Sequence, residues 1–202
     1  MGTGRFDPRE FEEEGPPPKK ISCRGLLIAG VVAVIGLRIL ASILVSAMAS
    51  LTSFTAADMK LRDLSRGKFQ VELPGQPSLR NARTRQNDRI TGYHLSRGGW
   101  EFMVEFFDIP DNKTFGDQAQ AAARSNVQGV MKGLDLTPVG ELEDITHQDE
   151  PGAEQAFTGS EGDGIMRVII REDYRVYVLL CSSRKFDPVI ARRFLDSFNM
   201  YE

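Results

Sequence analysis

One apolar run, over residues 26–51, constrains this chain more than any other feature, and Arg38 is its only charge. About 20 apolar residues suffice to cross the hydrocarbon layer of a bilayer. A central arginine costs roughly 2.5–3.5 kcal/mol on the insertion scale, whereas each Leu, Ile or Val favours insertion by about 0.3–0.6 kcal/mol. The run holds fourteen such residues, so the sum favours insertion. The sequence predicts a transmembrane helix over residues 25–54.

A cleaved signal peptide is the alternative interpretation of this run. Ala47-Met48-Ala49 fits the small-residue cleavage pattern, and residues 26–37 have the length of an h-region. The preceding tail, however, carries five acidic residues, which is unusual for a positively charged n-region. They are Asp7, Glu10, Glu12, Glu13 and Glu14. The length of the run favours an uncleaved anchor, and cleavage after Ala49 stays open.

Polar residues inside the run recur at a spacing of four. Arg38, Ser42 and Ser46 share one stripe of a helix, which continues backwards to Gly30. Polar side chains within a membrane usually face another helix or water. The stripe is therefore a candidate helix–helix contact, with a second copy of the chain or with a partner. The alternative is that Arg38 snorkels and the serines bond their own backbone carbonyls.

The segment before the run, residues 1–24, has mixed charges and the tripeptide Pro16-Pro17-Pro18, so it is expected to be disordered. Its basic residues next to the membrane are Lys19, Lys20 and Arg24, and four basic residues follow the run within residues 60–68. The positive-inside rule narrowly favours a cytoplasmic N-terminus. We therefore expect a cell-membrane protein, single-pass, with an extracytoplasmic C-terminal domain.

About 150 residues follow the run, enough for one domain with its own core. The formal net charge of −3 gives no reason to expect nucleic acid. Four arginines cluster without aromatic residues, at Arg80, Arg83, Arg85 and Arg89. A nucleic-acid patch usually shows denser charge or stacking residues, so this segment is interpreted as a solvated loop.

Hydrophobic periodicity divides the rest of the chain. Residues 55–66 are mildly helical and predict a stalk, and the folded domain is expected over 67–202. Alternation predicts strands at 69–73, 89–96, 100–108, 164–171 and 175–182, with weaker candidates at 136–142 and 153–159. A polar loop is expected between the first strand and residue 88.

Two helices are predicted beyond the membrane. The first runs from a capping box at 114–117 to a stop at Gly133, and the second begins with Asp187 as N-cap and Pro188. The strand at 176–181 is apolar without alternation, so both of its faces should be covered. The expected class is α+β: a mainly antiparallel sheet sandwiched between helices (α/β/α), preceded by one transmembrane helix.

Three segments of the domain resemble a known group. They are Gly67-Lys-Phe-Gln-Val-Glu-Leu-Pro-Gly-Gln-Pro77, Arg175-Val-Tyr-Val-Leu and Arg193-Phe-Leu-Asp-Ser-Phe198. The set resembles small bacterial membrane-anchored extracytoplasmic domains with the PsbP-like α/β/α fold, that of the photosystem II extrinsic subunit P and of a Ran-binding nuclear-import factor. The matching residues are structural, so no catalytic residue is transferred. The resemblance implies a non-enzymatic role in binding or stabilising a protein assembly.

Motifs that carry chemistry are scarce. His94 and His147 lack a second ligand at metal spacing. The turn Glu161-Gly-Asp-Gly164 lacks the ligand series of a calcium loop, and a plain hairpin turn explains it. No nucleophile elbow or phosphate loop occurs. The sequence thus predicts no enzyme, and no catalytic residue, cofactor or metal ligand.

The leading functional hypothesis is a single-pass anchored module that binds an unknown protein partner at the membrane surface. It could form a homo-oligomer through its transmembrane helix. The alternatives are a small-ligand sensor or carrier, with a pocket rimmed by Tyr93 and Trp100, and an accessory subunit of a membrane complex.

Overall fold

A computed structural model of the protein describes residues 54–83, 89–109, 118–171 and 175–201. The predicted tail, the predicted transmembrane helix up to residue 53, and the candidate contact residues Gly30, Arg38, Ser42 and Ser46 lie outside these ranges. Within the ranges, no helix is long and apolar enough to cross a bilayer.

Ten strands form in the described chain. They are β1 Lys60–Leu64, β2 Phe69–Leu73, β3 Ser78–Arg83, β4 Arg89–Arg97, β5 Trp100–Asp108, β6 Thr137–His147, β7 Glu150–Gly159, β8 Gly162–Arg171, β9 Arg175–Ser183 and β10 Asn199–Met200. A seven-stranded sheet has the order β3-β4-β5-β9-β8-β7-β6, and a three-stranded sheet has the order β1-β2-β10. All the neighbouring pairs are antiparallel.

The described chain also contains two α-helices, α1 Ala119–Gly133 and α2 Pro188–Asp196, and two short 3₁₀ turns. The predicted start of α2 is confirmed, because the Asp187 side chain accepts a hydrogen bond from the Val189 amide at 2.8 Å, with Pro188 at the first helical position. This bond satisfies one of the amides that a helix leaves free at its N-terminus.

Strand β9 lies inside the large sheet with both faces buried, as its continuous apolar sequence predicts. Tyr177, Leu179 and Cys181 join the core on the side of the three-stranded sheet and α2. Val176, Val178 and Leu180 join the core on the side of α1. The covering layers are therefore α1 on one face, and the small sheet together with α2 on the other.

The predicted α/β/α sandwich is wrong. The fold is mainly antiparallel β, with two sheets and two helices in the described chain. The helix layer expected on the α2 face is shared with β1, β2 and β10. Phe69 of β2 fills this layer, with ring centroids 5.1–6.1 Å from those of Tyr93, Phe106, Tyr177 and Phe198.

The helical stalk predicted over 55–66 is also wrong. A 3₁₀ turn, Ala56–Asp58, leads into β1, which pairs with β2 from Lys60↔Leu73 to Leu64↔Phe69. This pairing satisfies backbone groups of both strands and buries Leu64. The stabilisation from pairing and burial exceeds the mild helix propensity of these residues. Phe54, the last residue assigned to the transmembrane helix, packs against Trp100 and Phe102 at centroid distances of 6.4 and 6.0 Å.

The polar loop expected up to residue 88 is only partly a loop. β3 occupies Ser78–Arg83 and pairs with β4 at one edge of the large sheet. The Thr91 hydroxyl of β4 donates to Asn81 Oδ1 of β3 at 3.2 Å. An edge strand pairs on one side only, and residues 78–81 of β3 are exposed, so a polar sequence suits this position.

The opposite edge of the large sheet is β6, an eleven-residue strand that is mostly exposed. Its register with β7 shifts between Val139 and Glu143, where Gly140 has φ +72°. Glu141, Glu143 and Asp144 are exposed along this edge, and the Val139 side chain is 51% exposed. Bulges and charges of this kind discourage pairing with another strand.

Tyr177 connects the two sheets through its hydroxyl. The hydroxyl donates to the Gly67 carbonyl at 2.9 Å within the core. Gly67 approaches the aromatic layer so closely that a Cβ atom would lie 2.1 Å from Phe69 Cε1. The turn between β1 and β2 is thereby fixed onto β9.

We predict that Tyr177→Phe lowers the free energy of unfolding by about 1–3 kcal/mol, because a buried carbonyl loses its tyrosine donor. Urea denaturation measures the change. Tyr201→Phe is the matched control, since its hydroxyl donates to exposed Asp63 and its loss should cost less than about 0.5 kcal/mol. Equal losses in the two variants would contradict the assigned role of the buried bond.

Candidate functional site

Helix α1 ends in a Schellman motif, which shapes the candidate site. The Leu136 amide donates to the Met131 carbonyl at 2.9 Å, and the Asp135 amide donates to the Lys132 carbonyl at 3.4 Å. Asp135 takes the left-handed conformation, with φ 54°. The predicted stop at Gly133 is thus the last helical residue, and Asp135 provides the left-handed turn that ends the helix.

A pocket of about 240 Å³ lies between this helix end and the large sheet. Its apolar wall consists of Leu134, Leu136, Phe157 and Leu180. Its polar lining consists of Asp135, Ser160, Glu161 and Ser182, with the glycines of the β7–β8 turn. Four segments far apart in sequence therefore build the pocket: the end of α1, the approach to β6, the β7–β8 turn and the end of β9. We name it the α1-end pocket.

The β7–β8 turn is the plain hairpin turn that the sequence analysis preferred over a calcium loop. Gly159 pairs with Gly162, which leaves Ser160 and Glu161 as the two loop residues. A Cβ atom at Gly162 would lie 2.2 Å from the Ser183 carbonyl oxygen, so glycine lets the turn approach β9. Among the residues that the structure describes, no group of three potential metal ligands forms.

The charged side chains that line the α1-end pocket are acidic, while Lys132 lies in the last turn of α1 and Arg184 pairs with Glu161. The C-terminal end of a helix carries a partial negative charge, and Asp135 and Glu161 add carboxylates. Glu101 of β5 pairs with Ser182 across the sheet, and burial raises the pKa of its carboxyl, an effect that Glu161 reinforces. No Lys, Arg or His side chain lines the pocket within the described residues.

Beyond the pocket, the same face of the sheet carries a histidine–carboxylate pair. His94 Nε2 lies 3.4 Å from Glu105 Oε1, and both side chains are largely buried. Glu105 Oε2 is buried without a hydrogen-bond partner in the described part of the chain. Gly92 faces the pair, and a Cβ atom there would lie 2.9 Å from His94 Nε2. The β4–β5 register could have revealed this pair from sequence, because it sets His94 diagonal to Glu105.

Tyr93 and Trp100, which the sequence analysis expected at the rim of a pocket, do not line the α1-end pocket. Tyr93 and Trp100 are buried on the opposite face of the large sheet, within the core that includes Phe69 and α2. Burial of apolar area in this core accounts for the aromatic character of both residues. The described wall of the α1-end pocket contains one aromatic residue, Phe157.

On the α2 face, a buried ionic cluster surrounds Arg167 of β8. Its guanidinium lies 2.7 Å from Glu154 Oε2 of β7, donates to the Leu195 carbonyl at 2.9 Å and contacts Asp196 Oδ1 at 2.9 Å. Arg192 Nη1 lies 2.5 Å from Glu154 Oε1. The Arg167 charge also complements the C-terminal end of α2. The cluster joins β7, β8 and α2, and its charged groups form ion pairs with one another.

His147, at the end of β6, contacts the segment that follows α2. Its Nε2 lies 2.8 Å from the Phe198 carbonyl oxygen, so the neutral ring donates from this nitrogen. Burial lowers the pKa of His147, and the charge of Arg167 acts in the same direction. The adjacent Gln148 accepts from the Met200 amide at 2.7 Å. Both contacts hold the C-terminal strand against the large sheet, which explains His147 structurally.

We predict that Arg167→Met lowers the free energy of unfolding by about 3–5 kcal/mol, because it leaves the Glu154 carboxylate buried beside one partly exposed arginine. Chemical denaturation measures the loss. The control is Arg124→Met, which removes an exposed ion pair with Asp144 and should cost at most about 1 kcal/mol. The double variant Arg167→Met, Glu154→Met should recover part of the lost stability. A double variant that is less stable than Arg167→Met alone would contradict this account.

We predict that His147 makes the protein less stable in acid. Because the pKa of His147 is lowered in the folded state, the unfolded state binds more protons just below the ordinary histidine pKa of 6.5. Stability is therefore lost as the pH falls through 6.5 towards the folded-state pKa. His147→Gln should show a smaller drop between pH 8 and pH 5 in urea denaturation. Identical drops would show that other groups cause the dependence.

Comparison with known proteins adds no relative: no protein-family model matches the chain, and no curated protein has a significantly similar sequence.

Proposed function

We propose that the chain is a single-pass membrane protein whose folded domain is a non-enzymatic binding module at the membrane surface. Its N-terminus would be cytoplasmic and its domain extracytoplasmic. The observation that carries the proposal is the position of Phe54, which is buried in the domain core only three residues after Leu51. Three residues span at most about 10 Å, so the domain would sit directly on the bilayer.

Contacts of the fold account for the groups around Arg167 and for His147. The groups around Arg167 pair with one another, and His147 bonds to a backbone carbonyl. The resemblance of residues 67–77 and 193–198 to bacterial extracytoplasmic domains agrees with a binding role. A protein partner at the membrane surface therefore remains the first choice, reached through the domain or through the stripe at Arg38.

A small-ligand sensor or carrier is the second candidate function, and the α1-end pocket favours it. The pocket is mainly apolar and has a few polar groups on one side, as ligand sites usually do. It also lies at the end of the large sheet where Phe54 enters, because Trp100, Ser183 and Gly162 are all at this end. A bound ligand would thus lie near the membrane surface.

The topology can be tested with thiols that the chain already provides. Cys181 is buried, and burial raises the pKa of its thiol to about 12, so it should not react with maleimide. The wild type then reports Cys23 of the tail alone. A Cys23→Ser, Val189→Cys variant reports the domain alone, since Val189 is 64% exposed. Cysteine is close to valine in size, so the exposed site should tolerate it.

We expect a membrane-impermeant maleimide to label the Val189→Cys variant in intact spheroplasts and to label wild-type Cys23 only after permeabilisation. Intact mass of the extracted protein should equal that of the full-length chain. The opposite labelling pattern would place the domain in the cytoplasm. A mass that begins near Ser50 would mean cleavage and remove the anchor from the proposal.

A further inference from the structure

We propose that the α1-end pocket binds a small organic cation: a protonated amine attached to a short apolar body. This inference rests on the second candidate function, the ligand-binding one, and does not depend on the anchor or on its orientation.

The walls of the pocket define the apolar part of the ligand. Leu134, Leu136, Phe157 and Leu180 present side chains from the helix end, the approach to β6, β7 and β9. The volume of about 240 Å³ is slightly below that of pockets for drug-sized molecules, which begin near about 300 Å³. The ligand therefore has a body of the size of one aromatic ring or a short hydrocarbon chain.

The charges around the pocket define the polar part. Asp135, Glu161 and the carbonyl end of α1 make this side of the pocket negative, and the described lining has no basic side chain. An anionic ligand would be repelled, whereas a cation gains from all three sources.

Ser182 gives an independent indication of a ligand. Ser182 lines the pocket, the residue is only 7% exposed, and its hydroxyl forms no hydrogen bond with a described residue. The side-chain atoms of the described chain that are both fully buried and unpartnered are Arg62 Nε and Glu105 Oε2, so the Ser182 oxygen is open to the pocket. An ammonium group carries three donors, so a bound amine can supply the donor that this hydroxyl oxygen lacks.

Arg184 competes with the proposed cation. Its Nη2 lies 3.0 Å from Glu161 Oε2, but its side chain is 74% exposed and does not line the pocket. An exposed pair of this kind is weak. Removal of Arg184 should free Glu161 for the ligand. We therefore expect the variant to bind the ligand more tightly, although it loses the Arg184–Glu161 ion pair.

The test compares three probes with the same aromatic body: phenethylamine, 2-phenylethanol and phenylacetate. They are titrated into the full-length chain in zwitterionic lipid nanodiscs, with empty nanodiscs as background, and leucine methyl signals are followed by NMR. We expect phenethylamine to shift the methyl signals of Leu134, Leu136 and Leu180, and to bind at least about fivefold more tightly than the alcohol. Phenylacetate should bind most weakly.

Charge variants locate the effect. Arg184→Ala should tighten phenethylamine binding by about two- to fivefold, and Asp135→Asn or Glu161→Gln should weaken it by a similar factor. Asparagine tolerates the left-handed conformation at position 135, so the helix end is kept. Asp144→Asn is the matched control, because Asp144 contacts Gln120 and Arg124 in the first half of α1 and its loss should leave binding unchanged.

Three outcomes would overturn the inference: equal affinities for the three probes, no shift of the three leucine methyl signals, or affinities unchanged by Arg184→Ala and Asp135→Asn. Any of these would leave the topology proposal intact. A reversed labelling pattern in spheroplasts would, conversely, leave the pocket's ligand as inferred here.

Discussion

Burial of β9 on both faces is the constraint on which the rest of the structure depends. A strand with apolar side chains on both sides has no stable place at a sheet edge or on a one-sided sheet. It therefore lies between β5 and β8, and each face of the sheet needs its own cover. Helix α1 covers one face; the small sheet and α2 share the other. The aromatic layer around Phe69 and the bond from Tyr177 to Gly67 both result from this second cover.

The buried polar groups around the large sheet differ in how fully they are hydrogen-bonded. On the α2 face, Arg167 and Glu154 are buried but satisfied by each other, by α2 and by Arg192. On the α1 face, Glu105 keeps one oxygen without a partner in the described chain, and Arg62 Nε of the small sheet is likewise buried without one. A buried polar group without a partner costs free energy. Unused hydrogen-bonding capacity therefore occurs on both sides of the large sheet, at Glu105 and at Arg62.

Local signals in the sequence predicted most single elements but not their layering. The β4–β5 hairpin, the two-sided burial of β9 and the cap of α2 follow from turn residues, periodicity and Asp187. The small sheet does not, because residues 60–64 carry no clean alternation and their stability comes from pairing with β2. The Arg167 cluster and the pocket were not predicted, for a related reason. The partners of Arg167 lie 13 to 29 residues away in sequence, and the pocket is lined by segments that are also far apart. No local pattern records such contacts.

The bulged, acidic edge at β6 has a consequence for crowding. Chains confined to a bilayer, as proposed for this protein, would meet one another far more often than chains in free solution, and in a common orientation. Under those conditions an open eleven-residue strand would recruit a neighbouring copy, and each recruited copy would expose another edge. The register shift at Val139 and the carboxylates of Glu141 and Glu143 interrupt such chain growth at its first step. More copies of the protein could then occupy a given area of membrane without their sheets joining into a polymer.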